Sequence, residues 1–200
     1  VGGWDIMASN SYRLQYPLAY LRSHYTNWFT IPTITNDVTD YSIYAASATT
    51  SATKNNQAVI LKTDYSDSEF FVVEYRRGND EYLSTEYDAH IYGSGLIVYR
   101  VNTRQEKNIA GETDLIYIFR PGDTYDSYGH EAGGGDLTNS FLSAESGRTS
   151  YGSADYQATL SDGAITYSDG TNSGIVISNV GSASGDTISF NVTFGDGGEA

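Results

Sequence analysis

Three observations predict a mainly β fold, a β-sandwich-like domain preceded by a short turn and one α-helix. The first is composition. Of 200 residues, 18 are Tyr and 21 are Gly, and there is no Cys. Tyr suits strands, and Gly suits the turns between them. The second is pattern. Short runs rich in branched and aromatic residues recur along the chain, with turn residues between them. Turns spaced by about 8–12 residues are the rhythm of a sandwich. The third is that a single segment carries the period of an amphipathic helix.

That helix is expected inside residues 17–28. Pro17 suits a first helical position, where a missing N–H costs nothing. Leu18, Leu21 and Tyr25 follow at helical spacing, with Arg22 off that face. Pro32 disfavours helix in the residue before it, so the helix ends earlier. Strands are then expected at Val59 to Leu61, Glu69 to Arg76, Gly95 to Val101 and Leu115 to Phe119. In the third of these, Ile97, Tyr99 and Val101 share the more apolar face, which is expected inward. Ile175 to Val180 and Thr187 to Phe194 form a last pair, joined by a polar connection from Gly181 to Asp186. Phe71, Val73, Ile97 and Tyr99 are expected to be buried, and the tail 195–200 is expected to fray. There is no internal repeat.

Charge excludes one class of partner. Eleven basic residues face 25 acidic ones, for a net charge of −14. Such a chain repels phosphate backbones, so nucleic-acid binding is disfavoured. The imbalance is concentrated after residue 120, where Arg148 stands alone against eleven acids. No apolar run is long enough to span a bilayer. The chain opens on Val1-Gly2-Gly3-Trp4, with no basic or apolar leader pattern, and reads as an interior cut in a longer protein. Absence of Cys excludes disulfides and thiolate metal sites, and is compatible with a secreted bacterial enzyme.

One motif bears on function. Gly3-Trp4-Asp5-Ile6-Met7-Ala8-Ser9 packs a Trp, an acid and a Met into a tight turn. On its residues alone it is a core corner, since a lone Met usually serves packing. It resembles the methionine turn of the immune inhibitor A family of secreted zinc metallopeptidases, where W-[DS]-[IL]-M-[AG]-S follows an HExxH zinc helix. Further matches follow in order. Pro17 to Trp28 resembles the family's next helix. Glu69-Phe70-Phe71-Val72-Val73-Glu74-Tyr75-Arg76 resembles its E-Y-F-[LV]-[LIV]-E-x-R strand. Gly93-Ser94-Gly95-Leu96-Ile97-Val98-Tyr99-Arg100-Val101 resembles its G-x-G-L-L-I-[WY]-[HR]-V strand. Phe119 to Gly122 and Asn139 to Phe141 stand at later, looser signatures. Ordered matches are more specific than any one motif.

The resemblance implies a division at residue 30. Residues 1–30 end the catalytic domain, carrying the methionine turn with Trp4, Asp5 and Met7, and residues 31–200 form the β-rich sandwich-like domain. It implies that Met7 is a hydrophobic floor beneath zinc and not a ligand, that the substrates are proteins or peptides, and that the protein is secreted or extracellular. The zinc ligands themselves are absent. There is no HExxH. His130-Glu131 begins one, but the fourth position after His130 is Gly134, and Gly133 to Gly135 would break a helix. His24 and His90 are isolated. The chain is therefore expected to be inactive alone, with its zinc ligands upstream of Val1.

Two charge groups need a reading. Glu74 and Arg76 share one strand face, and a Glu74–Arg100 or Glu69–Arg120 pair is expected as structure, with Glu74 as a general base the alternative. Asp123, Asp126, Glu131 and Asp136 cluster among glycines, so oxygen ligation of Ca²⁺ is one reading and a solvated acidic loop the other. A second function also stands. A standalone sandwich could bind carbohydrate or a surface partner through Tyr41, Tyr44, Tyr65, Tyr117, Tyr125, Tyr128, Tyr151 and Tyr156.

Overall fold

In the computed structural model, residues 1–8, 15–78 and 87–195 are described. Ser9 of the N-terminal motif and the tail beyond Gly195 lie outside them. Two sheets and one α-helix make the framework, as the composition and periodicity predict. The first sheet has five strands in the order β1-β3-β4-β5-β6: Thr33–Ile34, Ala58–Leu61, Glu69–Arg76, Gly95–Asn102 and Ile116–Ile118. The second has four in the order β2-β9-β8-β7: Val38–Tyr44, Thr187–Phe194, Ile175–Ser178 and Tyr151–Gly152. Among the strands of the described residues, β1 and β3 pair in parallel and the other pairs are antiparallel.

The first sheet is buried on both faces. One face carries Phe71, Val73, Tyr75, Leu96 and Val98 against the second sheet's Ile177, Ile188 and Phe190. The other carries Val72, Ile97, Tyr99 and Val101 against Trp4, Leu18 and Phe29 of the N-terminal segment. Alternation puts neighbouring residues of one strand into different cores. Phe71, Val73, Ile97 and Tyr99 are all fully buried, as expected. They do not share one inside, however. The expectation of a single inward face on β5 is corrected: Leu96, Val98 and Arg100 are buried as completely. The described residues of 1–30 have no separate core, and their apolar side chains complete that of the first sheet.

Helix α1 spans Ala19–Thr26, inside the expected range. Leu18 is its N-cap, so Pro17 precedes the cap and does not open the first turn. The expected apolar face is also corrected. Leu18, Ala19, Tyr20 and Arg22 are buried, Leu21 is half-buried and Tyr25 is exposed. Arg22 turns inward because two of its three guanidinium nitrogens find acceptors there, while Nη2 is buried without one. Its Nε donates to the Pro17 carbonyl at 2.8 Å and its Nη1 to Gln57. Its guanidinium lies 5.1 Å from the Phe29 ring centroid. The helix ends at Asn27, which takes the left-handed conformation at φ 53°.

Close backbone approach fixes one glycine of the sheet. Leu96 exchanges backbone hydrogen bonds with Leu142, both at 2.8 Å. A side chain on Gly95 would put its Cβ 2.3 Å from the Leu142 carbonyl oxygen. Among the described residues no helix is long and apolar enough to cross a membrane.

Candidate functional site

The segment from Gly2 to Ala8 is a structured corner. Gly2–Trp4 form one 3-10 turn, with Gly2 at φ 50° and the Leu137 side chain 2.3 Å from where a Cβ would stand. The left-handed conformation favours glycine there, and a side chain would also push the Leu137 tip aside. Trp4 is fully buried, edge-on to Tyr92 at 5.6 Å and to Phe141 at 6.1 Å. Its indole N–H donates to the Leu137 carbonyl at 3.3 Å. Asp5 is buried and ties the corner together. Oδ1 accepts from the Met7 amide at 2.8 Å, and Oδ2 accepts from the Leu18 amide at 3.4 Å. Met7 itself is 78% exposed. Its backbone is pinned while its thioether is left at the surface.

Beneath the turn lies a buried ionic network built from the C-terminal end of β4 and Asp88. Arg76 is fully buried and places all five of its N–H donors. Nε donates to Asp88 Oδ2 at 2.7 Å, and Nη2 donates to Asp88 Oδ1 and to the Tyr16 carbonyl at 3.0 Å. Nη1 donates to the Trp4 carbonyl at 2.8 Å and to Glu74 Oε1 at 3.1 Å. Burial alone would lower the Arg76 pKa, but Asp88 and then Glu74 outweigh it and hold it above its ordinary value. One guanidinium thus joins both chain segments that flank the turn to the sheet.

Glu74 does the same for helix α1. The first amides of a helix have no partner within it. Here the Ala19 amide donates to Glu74 Oε2 at 2.6 Å and the Tyr20 amide to the Tyr99 hydroxyl at 3.1 Å. That hydroxyl donates in turn to Glu74 Oε2 at 2.9 Å. A carboxylate at a helix N-terminus is also favoured by the helix dipole. Burial, and then the Glu74 charge, raise the Tyr99 pKa well above its ordinary value, so it remains a donor. With its oxygens committed to these donors, Glu74 acts as structure and not as a base. The expected ion pairs are revised accordingly. Glu74 pairs with Arg76, and Arg100 lies on the opposite face, 3.4 Å from Glu69 and 2.5 Å from Glu131.

Met7 opens onto a groove. Met7, Pro17, Leu21, Tyr25, Trp28 and Leu115 line an apolar cavity of about 510 Å³. Tyr25 is 65% and Trp28 60% exposed. Arg22, Thr26, Glu106 and Lys107 add polar and charged groups to its lining. A concave apolar surface with few polar groups is the usual form of a ligand or peptide site.

The acidic residues of 123–136 do not converge. Asp123 is buried, accepts from the Tyr117 hydroxyl at 2.8 Å and sits 3.4 Å from Arg120 Nε. Asp126 accepts from the Tyr128 amide at 2.8 Å and the His130 amide at 3.0 Å. Glu131 reaches Arg100, and Asp136 caps the turn at Leu137–Asn139. They face different partners, and among the described residues they do not gather as an oxygen-only Ca²⁺ site would require. Nor do the histidines fit zinc. His24 stacks on Tyr20 and His130 on Tyr128. Among the described residues no three His, Cys, Asp or Glu side chains stand close enough to hold a metal ion. The eight candidate tyrosines do not form one face. Tyr117 is buried, Tyr41, Tyr125 and Tyr151 pack against the sandwich core, Tyr44 is half-buried, and Tyr65, Tyr128 and Tyr156 are exposed.

Two members of the buried network escape sequence reading. Asp88 stands in an irregular stretch at φ 64°, with no pattern to mark it. Tyr99 reads as an apolar strand residue, and nothing local reveals that its hydroxyl caps a helix 79 positions away. No family model matches the chain, and no curated protein or solved structure resembles it significantly.

Proposed function

We propose that this chain is the downstream part of a secreted zinc metallo-endopeptidase, carrying the methionine turn but not the zinc ligands. The observation that carries the reading is the treatment of Met7. Asp5 and the Arg76 network fix its backbone, yet its thioether is presented outward at the mouth of an apolar groove. A buried ionic network beneath an exposed methionine is poorly explained by packing alone, since exposed side chains contribute little to stability. A floor residue awaiting a metal-bearing element explains it. The ordered sequence matches to the immune inhibitor A family support the same reading.

The described residues supply no ligand set for zinc, so no step of hydrolysis is assigned to them. Their part is positioning. Met7 forms the apolar surface beneath the metal site, and the groove of Leu21, Tyr25 and Trp28 forms one wall of the cleft that receives an extended peptide. Apolar and aromatic side chains there would bind substrate side chains by burial. The test is zinc content and casein hydrolysis, measured on the 200-residue chain and on one extended by the residues encoded before Val1. An HExxH in the extension, with one zinc and chelator-sensitive hydrolysis only in the longer chain, is the expected result. Hydrolysis by the 200-residue chain, or an extension without zinc ligands, would overturn the proposal.

A further inference from the structure

A second cavity, of about 450 Å³, lies at one end of the sandwich and shares no residue with the Met7 groove. Its wall comes from both sheets. Asn36 follows β1, Lys62, Asp64 and Tyr65 follow β3, and Phe194 ends β9. Because β1 and β3 are parallel, both chains leave the sheet at this end. The Lys62 amide still donates to the Ile34 carbonyl at 3.1 Å, which holds the two exits side by side.

Tyr65 is held as a platform. Its ring packs on Tyr167 with centroids 4.5 Å apart and planes at 32°. Its hydroxyl donates to Asp169 Oδ2 at 2.7 Å and lies 2.9 Å from the Thr171 hydroxyl. Tyr167 is buried beneath it and bonded to the Thr63 hydroxyl. An aromatic ring anchored at its tip and along its body loses little freedom on binding, yet Tyr65 remains 43% exposed. Around it stand an amide, an ammonium and a carboxylate. Among the described residues neither Lys62 nor Asp64 takes part in an ion pair.

This combination discriminates between ligand classes. An anionic ligand would find the Lys62 ammonium offset by the Asp64 carboxylate, in a chain of net charge −14. A wholly apolar ligand would strip water from Asn36, Lys62 and Asp64 and give nothing back. A pyranose ring satisfies both demands. One face presents C–H groups to an aromatic ring, and its hydroxyls both donate and accept. We propose that this pocket binds a pyranose unit of a neutral oligosaccharide, stacked on Tyr65 and hydrogen-bonded by Asn36, Lys62 and Asp64.

The proposal does not depend on the peptidase reading, since the two sites are separate. It is tested by amide-resolved NMR on the 200-residue chain, titrated separately with cellotriose, maltotriose and chitotriose to roughly 20 mM. At least one sugar should shift the amides of Asn36, Thr63, Tyr65 and Ser173. Tyr65→Ala and Asp64→Ala should each weaken that binding by about tenfold or more. Asp64 is exposed and its carboxylate accepts no hydrogen bond among the described residues, so Asp64→Ala should melt at the wild-type temperature. That variant keeps the test valid if loss of the Tyr65 ring disturbs Tyr167. No shift at these amides with any of the three sugars would overturn the proposal. So would shifts that persist unchanged in both variants.

Discussion

Arg76 and Arg100 are both fully buried on the five-stranded sheet, but on opposite faces and in different states. Arg76 has a hydrogen-bond acceptor for every N–H, three of them oxygens of Glu74 and Asp88 and two of them backbone carbonyls of the N-terminal segment. Arg100 has charge but little alignment. Its Nη1 donates to the Thr166 carbonyl at 3.3 Å, while Nε and Nη2 lie near Glu69 and Glu131 without forming aligned hydrogen bonds. Its guanidinium rests 5.5 Å from the Tyr117 ring centroid. The difference shows two ways of joining a layer to a sheet. The sandwich face is closed by apolar packing, with Arg100 accommodated inside it. The N-terminal face is closed by a polar lock that fixes backbone positions. A turn that must present one side chain outward needs the second kind.

The largest expected effect follows from that contrast. Replacing Arg76 and Asp88 together, as Arg76→Met with Asp88→Leu, strands the carbonyls of Trp4 and Tyr16 and the Tyr16 amide. Each lost buried partner costs about 1–3 kcal/mol, so urea denaturation should show a total loss of about 3–9 kcal/mol, with the buried Glu74 charge left unpaired as well. Next comes Phe71→Ala, which empties a fully buried ring position between Phe119 and Tyr167 and should cost about 3–5 kcal/mol. Arg100→Met with Glu131→Leu leaves the Thr166 carbonyl without Arg100, and leaves Glu69 with only its Ser168 donors, so it should cost less, about 1–3 kcal/mol. A loss as large as that of the Arg76 pair would erase the comparison.

Smaller effects sharpen it. Burial raises the phenols of Tyr75, Tyr151 and Tyr167 to about 12 from an ordinary value of 10.0. A raised folded pKa favours the protonated form. Its stabilisation is complete below 10 and disappears as pH rises toward 12. Unfolding followed across that window should show stability falling, with phenolate absorbance appearing late. The smallest effect is expected at Met7. Met7→Ala should alter stability by about 0.5 kcal/mol or less, since the side chain is exposed. A large loss there would mean the thioether is a packing residue and would remove the ground for a floor role.

Much of the fold was legible because it rests on local pattern. The runs Glu69–Arg76, Gly95–Asn102 and Thr187–Phe194 alternate or concentrate branched and aromatic residues, and the structure pairs the first two in full register. Strand β2 was not legible. Only Ile43 in it is buried, and Asp40 at φ 51° breaks its register between Val38 and Tyr41. Strand β7 is only Tyr151–Gly152, too short to carry a period. The turn at Trp4 to Met7 was visible as a motif, but its lock was not. Asp5, Glu74, Arg76, Asp88 and Tyr99 come from segments far apart in sequence, and charge partners across a fold leave no local period. For the same reason the pairing of Glu69 with Arg100, whose direct cross-strand neighbour is Phe71 two positions from Glu69, could not be chosen over Glu74 with Arg100 from spacing alone.

Native-state amide hydrogen exchange tests most directly whether the turn is held as a preformed element. The informative amides are Leu18, Ala19 and Tyr20, whose acceptors are Asp5, Glu74 and the Tyr99 hydroxyl. None of them has a partner within the helix, so any protection must come from the lock. Protection approaching that of Val72 and Val98 in the sheet is the predicted result, lost selectively when Arg76 and Asp88 are replaced. Exchange at the rate of exposed loops in the wild-type chain would contradict it, and with it the claim that this face is built to hold Met7 in place.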